Sequence, residues 1–236
     1  TVADELRYWM RIEARWRLDQ FRIDYSHHGA DLTSSAPSSG LPAEAEALVQ
    51  RLSQAPSILM VGTLEPRKGY PQALAAFDEL WARGVEVNLV IVGREGWREL
   101  PDAERRSIPA LVRTLREHAQ LGRRLFWLDG ISDEYLERVY GCCRGLLAAS
   151  EDEGFGLPLI EAAQHGLPIL ARDIPVFREV AGEHARFFQA DEPIALAQAM
   201  QDWIADGFTP ASRRLPWLTW KQSAANLASI LAEQGC

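Results

Sequence analysis

The chain has 236 residues, 47% apolar and 25% charged, the balance of a soluble globular protein with room for one large domain or one domain plus a fragment. Its net charge of −8 argues against broad binding to nucleic acid or anionic membranes, and no apolar stretch approaches the roughly 20 residues of a membrane helix. The charged residues among the first 25 leave no signal-peptide pattern, and three cysteines, two of them adjacent (Cys142 and Cys143), form no disulfide framework, so a reducing, cytoplasmic setting is expected.

In chain order, residues 4–20 show helical spacing (Leu6, Trp9, Met10, Glu13, Trp16, Arg17), and 21–25 read as a short strand. Residues 33–43, rich in Ser, Pro and Gly, form a linker by composition. Beyond it the grammar changes. Residues 57–62 and 87–93 are continuous apolar runs ended by glycine, as expected of strands buried on both faces. Further strands are predicted at 125–128, 145–150, 168–171 and 186–189. Helices are predicted at 70–83, 108–121, 133–141, 157–164, 174–181, 193–205 and 223–233. Alternating strand and helix predicts an α/β fold, a Rossmann-like doubly wound parallel sheet. Ligands of such sheets bind outside the carboxyl ends of the strands. Four notable segments fall there: 62–69, 93–97, 130–133 and 150–156.

The richest segment is 151–166, Glu-Asp-Glu-Gly-Phe-Gly-Leu-Pro-Leu-Ile-Glu-Ala-Ala-Gln-His-Gly. A Gly-Phe-Gly turn leads into a helix start at Leu157-Pro158, where proline loses nothing by lacking an N–H. Unpaired backbone N–H groups and the positive end of the helix dipole make such a place receptive to phosphate. Glu153 before the turn and Glu161 within the helix can grip hydroxyls on either side of that phosphate. The alternatives are two surface glutamates at a helix N-terminus, a metal held by Glu151, Asp152 and Glu153, or a glycosidase acid and base pair. Consecutive residues rarely converge on one ion, and a turn with its own following helix flanks a sugar poorly. Phe155 is expected to be an exposed aromatic in a mobile turn, with no structural gain.

Gly62-Thr63-Leu64-Glu65-Pro66-Arg67-Lys68-Gly69 carries adjacent cations on a loop after a strand. It reads either as a solvated basic loop or as a diphosphate grip, through the Arg67 fork and the Lys68 point charge. Gly93 opens Gly-Arg-Glu-Gly-Trp, which lacks the spacing of a dinucleotide fingerprint, and no phosphate loop of the Walker type is present. Gly96 reads as a plain turn, whereas Gly93 could admit a ligand close to the backbone. Ser132 or Asp133 caps the next helix, and backbone groups near Ile131 could meet a base edge. His165 is read as packing or pairing near its helix end, His27-His28 as an interdomain turn, and Cys142-Cys143 as small apolar residues.

These motifs resemble the carboxyl-terminal, nucleotide-binding domain of GT-B glycosyltransferases, family GT4 in particular, over residues 57–205. The matching stretches are Val-Gly-Thr-Leu-Glu-Pro-Arg-Lys-Gly at 61–69, Ile-Val-Gly-Arg-Glu-Gly-Trp at 91–97, Gly-Ile-Ser-Asp-Glu-Tyr-Leu at 130–136, and Glu-Gly-Phe-Gly-Leu-Pro-Leu-Ile-Glu at 153–161, the E-x7-E motif of that family. The resemblance implies a retaining, metal-independent transfer of a hexose from a nucleotide-sugar of GDP or UDP type to a saccharide or lipid-linked acceptor. It implies catalytic roles for Glu153, Arg67 and Lys68, with Glu153 on sugar hydroxyls and the two cations on the diphosphate. Gly62, Thr63, Gly93, Ile131, Gly154, Phe155, Gly156, Leu157 and Glu161 complete the implied nucleotide-sugar site, Glu161 on the ribose and Ile131 at the base. GDP-mannose and bacterial surface-polysaccharide synthesis are the donor and setting it brings forward. A nucleotide-sugar epimerase, a phosphorylase and a non-catalytic binding module are the alternatives, and no pyridoxal-binding signature favours the second.

The chain departs from the pattern where Thr63 replaces an arginine common in the family, leaving Arg67 to supply that charge. The expected division is 1–31 as a remnant of an amino-terminal domain plus crossover, 32–56 as linker and helix, 57–210 as the nucleotide-sugar domain and 211–236 as a crossing helix. The amino-terminal GT-B domain, expected to bind the acceptor, is then missing, and the whole enzyme is expected in the cytoplasm or peripherally on the inner membrane face.

Overall fold

The computed structural model describes residues 2–31, 37–189 and 191–233. Six parallel strands, β1 (Ser57–Val61), β2 (Asn88–Val92), β3 (Leu125–Leu128), β4 (Gly145–Ala148), β5 (Ile169–Arg172) and β6 (Arg186–Phe188), lie in the order β3-β2-β1-β4-β5-β6. Nine helices among the described residues surround or flank them: α1 (Val2–Glu13), α2 (Ala45–Gln54), α3 (Tyr70–Ala82), α4 (Ile108–Glu117), α5 (Asp133–Cys142), α6 (Leu157–Gln164), α7 (Pro175–Ala181), α8 (Pro193–Ala205) and α9 (Trp220–Glu233).

The continuous apolar strands resolve into an alternation. Ile58 and Met60 of β1, with Leu89 and Ile91 of β2, join Leu74, Phe77, Leu115 and Met200 in one core. Leu59 of β1, with Val90 and Val92 of β2, joins Leu52, Val139, Ile160 and Phe177 in the other. Both faces are therefore covered by helices, and every position of β2 is buried, as a parallel sheet requires. Gly145 opens β4 because a Cβ there would lie 2.4 Å from the Trp203 ring of α8. Leu52 of α2 is fully buried, so that helix belongs to the core rather than to a linker.

Four expectations about the flanking segments change. The helix expected over 4–20 ends at Glu13 and is followed by a 3-10 turn, Arg15–Gln20. Trp16 is 68% exposed, so no apolar burial holds a longer α-helix together there. The strand expected over 21–25 is absent: Phe21 is extended (φ −128°, ψ 131°), but no neighbouring strand supplies a ladder. The linker of residues 33–43 is described from 37 onward, and that part is pinned to the start of α5. The N–H and Oγ of Ser38 both donate to Asp133 Oδ2 (2.7 and 2.8 Å), and the Gly40 N–H donates to Glu134 Oε2 at 2.8 Å. α9 starts before the expected residue 223, because Thr219 and Gln222 form a reciprocal cap, N–H to side chain in both directions (2.8 and 3.1 Å).

Candidate functional site

Strand order reverses between β1 and β4, so the loops leaving them open a crevice at their carboxyl ends. The two loops are fitted closely. Gly69 (φ +70°) passes so near the β4 loop that a Cβ would lie 2.2 Å from the Ala149 carbonyl oxygen. The Glu151 N–H donates to the Arg67 carbonyl at 2.8 Å. Tyr70, buried at the start of α3, donates its hydroxyl to the Gly62 carbonyl at 2.5 Å and fixes the end of β1. Gly93 has a structural reason of its own: a Cβ would stand 1.9 Å from the Gly62 carbonyl oxygen, so the loops after β1 and β2 touch through backbone. Gly96 also sits in close contact, its N–H donating to the Leu64 carbonyl at 3.2 Å. Thr63 between them is exposed.

At the mouth of this crevice the three charged motif residues meet. Lys68 Nζ lies 2.5 Å from Glu153 Oε2, and Arg67 Nη1 lies 3.1 Å from Glu153 Oε1. Arg67 also donates to the Asp152 carbonyl (3.0 Å) and pairs with Glu65 (3.1 Å). The Gly154 N–H and the Ser150 hydroxyl add bonds to Glu153 at 3.2 and 3.4 Å. Burial alone would push the Glu153 carboxyl up, but Lys68 and Arg67 outweigh it and hold the group below the ordinary carboxylate range. Glu153 is thus an ionised, clamped group rather than an acid with a proton to give.

Gly156 takes φ +92° as the residue before α6, with Pro158 in the first turn and its own Cβ position 3.0 Å from the Phe177 ring. Gly154 faces open space. Phe155 is not the exposed aromatic that the Gly-Phe-Gly turn predicts. It is half-buried, with ring centroids 5.5 Å from His27 and 5.2 Å from His28, and it packs on the core under α6 and α7. His27 is itself held by Glu179 at 2.8 Å. The two histidines read as an interdomain turn therefore brace the motif turn, a role with no signal in local sequence. Leu157, the first residue of α6, is half-buried against the same core.

Glu161, one turn into α6, looks toward α5. The Tyr140 hydroxyl donates to Glu161 Oε2 at 2.7 Å. Burial raises the Glu161 carboxyl above its ordinary range although this bond opposes the shift, and burial with the neighbouring carboxylate pushes the Tyr140 phenol well up. Glu153 and Glu161 thus face different neighbours, which does not suit an acid and base pair on facing walls. Ile131 follows Gly130 (φ +68°) after β3 and rests half-buried on the core. Ser132 caps α5, accepting from the Tyr135 N–H at 3.1 Å. Among the described residues no group of three or more His, Cys, Asp or Glu could hold a metal ion. Among the same described residues no helix is long and apolar enough to cross a membrane.

The crevice is a shelf rather than a closed pocket. The enclosed space lined by Lys68, Ser150, Glu153 and Gly156 is about 20 Å³. A cavity of about 940 Å³ lies elsewhere, against α5 and the end of α6, lined by Ser38, Asp133, Glu137, His165 and Arg213. Arg67, Lys68, Glu153 and Glu161 contribute nothing to it, so size alone does not locate the chemistry.

The family model for group 1 glycosyl transferases matches residues 47–215. The chain belongs to this family. Over 236 residues it is 47% identical to the serotype-specific mannosyltransferase WbdA of Escherichia coli, a match covering 98% of this chain and 28% of WbdA. It is 28% identical over 152 residues to the O-antigen chain mannosyltransferase B of Escherichia coli, covering 61% of this chain and 36% of that protein. The glycosyl transferase chain therefore spans little more than a quarter of the length of WbdA. Among solved structures, sucrose-phosphate synthase from Thermosynechococcus elongatus superposes with a TM-score of 0.72 at 24% identity, over 99% of this chain and 57% of that one. HepE of Anabaena, solved with UDP and glucose, gives 0.63 at 16% identity over 82% of this chain and 53% of that one. These likenesses place the sheet among GT-B glycosyltransferase folds.

Proposed function

We propose that this chain is the donor-binding part of a retaining mannosyltransferase of the GT4 type. It would take a hexose from GDP-mannose to a saccharide or lipid-linked acceptor in bacterial surface-polysaccharide synthesis. The observation that carries this reading is the clamp of Lys68 and Arg67 on Glu153 at the strand-order reversal, beside the glycine-rich start of α6. The names of the relatives support mannose and the polysaccharide setting.

In this reading the donor diphosphate replaces Glu153 as the counter-ion of Lys68 and Arg67. Glu153 is then free to accept from hydroxyls of the sugar. The bond from the anomeric carbon to the diphosphate oxygen breaks, its electron pair leaves with the diphosphate, and the acceptor hydroxyl, giving its proton to that departing oxygen, forms the new bond on the same face. Negative charge grows on the departing oxygen, and two fixed cations favour that transition state over the ground state without calling on a metal. Backbone N–H groups from Gly154 to Leu157 serve sugar and phosphate, Gly62 and Thr63 line the phosphate end, Gly93 and Ile131 the base, and Glu161 accepts from the ribose. The acceptor wall belongs to an amino-terminal domain, of which 1–31 is the adjoining piece, and the whole enzyme works in the cytoplasm or at the inner membrane face.

Calorimetric titration of the chain with GDP, UDP and dTDP, and with their hexose conjugates, tests the proposal. GDP and GDP-mannose are expected to bind best. Tighter binding of UDP forms would move the donor assignment, and no binding of any of them at millimolar concentration would sink the donor-site reading.

A further inference from the structure

Tyr140 is fully buried on α5, yet its hydroxyl meets no ordinary core partner: it donates to Glu161 Oε2 on α6. His165, one turn beyond Glu161, lies flat on the Tyr140 ring, with centroids 4.8 Å apart and planes inclined by 1°. Glu137, one turn before Tyr140 on α5, holds His165 Nε2 at 3.2 Å. Spacings of three on α5 and four on α6 put each pair on one helix face. The four side chains form a closed lattice between two helices.

That lattice answers a specific problem. The terminal torsion of a glutamate is broad and roughly two-fold, so a lone carboxylate presents its oxygens over a wide range of directions. A phenol bound to Oε2 removes that freedom, while Oε1 has no hydrogen-bond partner among the described residues. The stacked imidazole in turn keeps the phenol from swinging away. We infer that Tyr140 is a positioning residue, which holds one oxygen of Glu161 so that the other is presented to the ribose diol of a bound nucleotide, with His165 locking the phenol. This rests on the reading of Glu161 as the ribose grip.

The test compares GDP and UDP with their 2′,3′-dideoxy forms by calorimetry on this chain, which isolates the diol. The wild-type chain should prefer the ribose form by about tenfold or more, the range of a hydrogen bond to a charged group. Glu161→Gln should collapse that preference. Tyr140→Phe keeps the ring and its stack but removes the donor; it should weaken the ribose form by about three- to tenfold and leave the dideoxy form unchanged. In the Glu161→Gln background it should change neither. His165→Ala should lower the same ratio in the same direction, and it decides alone if circular dichroism shows Tyr140→Phe unfolded. Equal weakening of both forms by Tyr140→Phe would reduce the lattice to core structure, and an unchanged ratio beside a collapsed Glu161→Gln ratio would remove Tyr140 from the site. A ratio unmoved by Glu161→Gln would instead overturn the ribose grip itself, and absence of any binding by the wild-type chain would overturn the donor site.

Discussion

Lys68 Nζ sits 2.5 Å from Glu153 Oε2, and this contact joins the loop after β1 to the loop after β4 across the strand-order reversal. The two side chains are 13% and 12% exposed, so the pair is screened less than a surface ion pair. Both partners are also the groups that the donor would engage. Binding must therefore exchange one counter-ion for another rather than fill an empty basic patch.

Lys68→Met combined with Arg67→Ala should accordingly lower GDP affinity about a hundredfold or more, since two charge-assisted bonds of roughly 1.5–3 kcal/mol each are lost. Guanosine, which lacks the diphosphate, should bind as before. Calorimetry with both ligands checks this, and an unchanged GDP affinity would show the cations to be structural partners of Glu153 alone.

The two glutamates of the motif should respond to pH with opposite signs. Glu153 is held below its ordinary range, so its ion pairs stabilise the fold above that range and the benefit is lost as pH falls through its lowered value. Glu153→Gln should therefore lower the Tm at pH 7, with a cost that shrinks below pH 4. Glu161 is raised by burial, so the folded state binds its proton more tightly than the unfolded state, and stability falls as pH rises through the raised value. Glu161→Gln, whose amide oxygen can still accept from Tyr140, should raise the Tm at pH 7 by about 2–4 °C per kcal/mol gained. That gain should vanish near pH 4, and the variant should lose nucleotide affinity. Thermal melts across pH 4–8 decide both.

The sheet was legible because its strands are short apolar runs ended by glycine, and because burial on both faces leaves little else for such runs to be. The motif loops were legible for a related reason: Gly62, Gly69 and Gly156 stand where backbone turns through φ +146°, +70° and +92°. The bracing around the site was not legible. Phe155 depends on His27 and His28, more than a hundred positions away, and Glu161 on a tyrosine in a different helix. Tyr140 looks like any apolar position on an amphipathic helix until its hydroxyl is seen. The Ser-Pro-Gly composition of 33–43 likewise describes a chain without regular structure, which holds for 37–43, but not one without partners.

The tie between residues 37–40 and α5 is measurable. Asp133 accepts two bonds from Ser38, which keep its carboxyl below the ordinary range, and so ties residues 37–40 to the N-terminus of α5. Asp133→Ala should speed amide exchange at Ser38 and Gly40 by about tenfold or more while the β1 and β2 amides keep their protection, because the opening is local. Exchange rates that stay unchanged at Ser38 would mean that the remaining bonds hold the segment without the Asp133 carboxylate: Gly40–Glu134, Ser132–Gly40, and the backbone N–H groups of residues 133 and 134 to Ser38.

The three glycines of the crevice separate backbone demands from ligand demands. Gly69→Ala puts a methyl 2.2 Å from the Ala149 carbonyl oxygen at φ +70°, a clash with backbone that no rotamer relieves. Loss of about 3 kcal/mol or more, or failure to fold, is expected. Gly156→Ala meets the Phe177 ring at 3.0 Å and φ +92°, and an aromatic edge can yield by a few tenths of an ångström, so a cost of about 1–3 kcal/mol is expected. Gly154 faces open space, and Gly154→Ala should leave stability within about 0.5 kcal/mol in urea titrations. Its methyl would stand where the donor approaches the backbone N–H groups, so GDP-mannose affinity should fall although the fold is intact. A Gly154→Ala protein that binds the donor as tightly as the parent would mean that the sugar and phosphate do not lie against this turn.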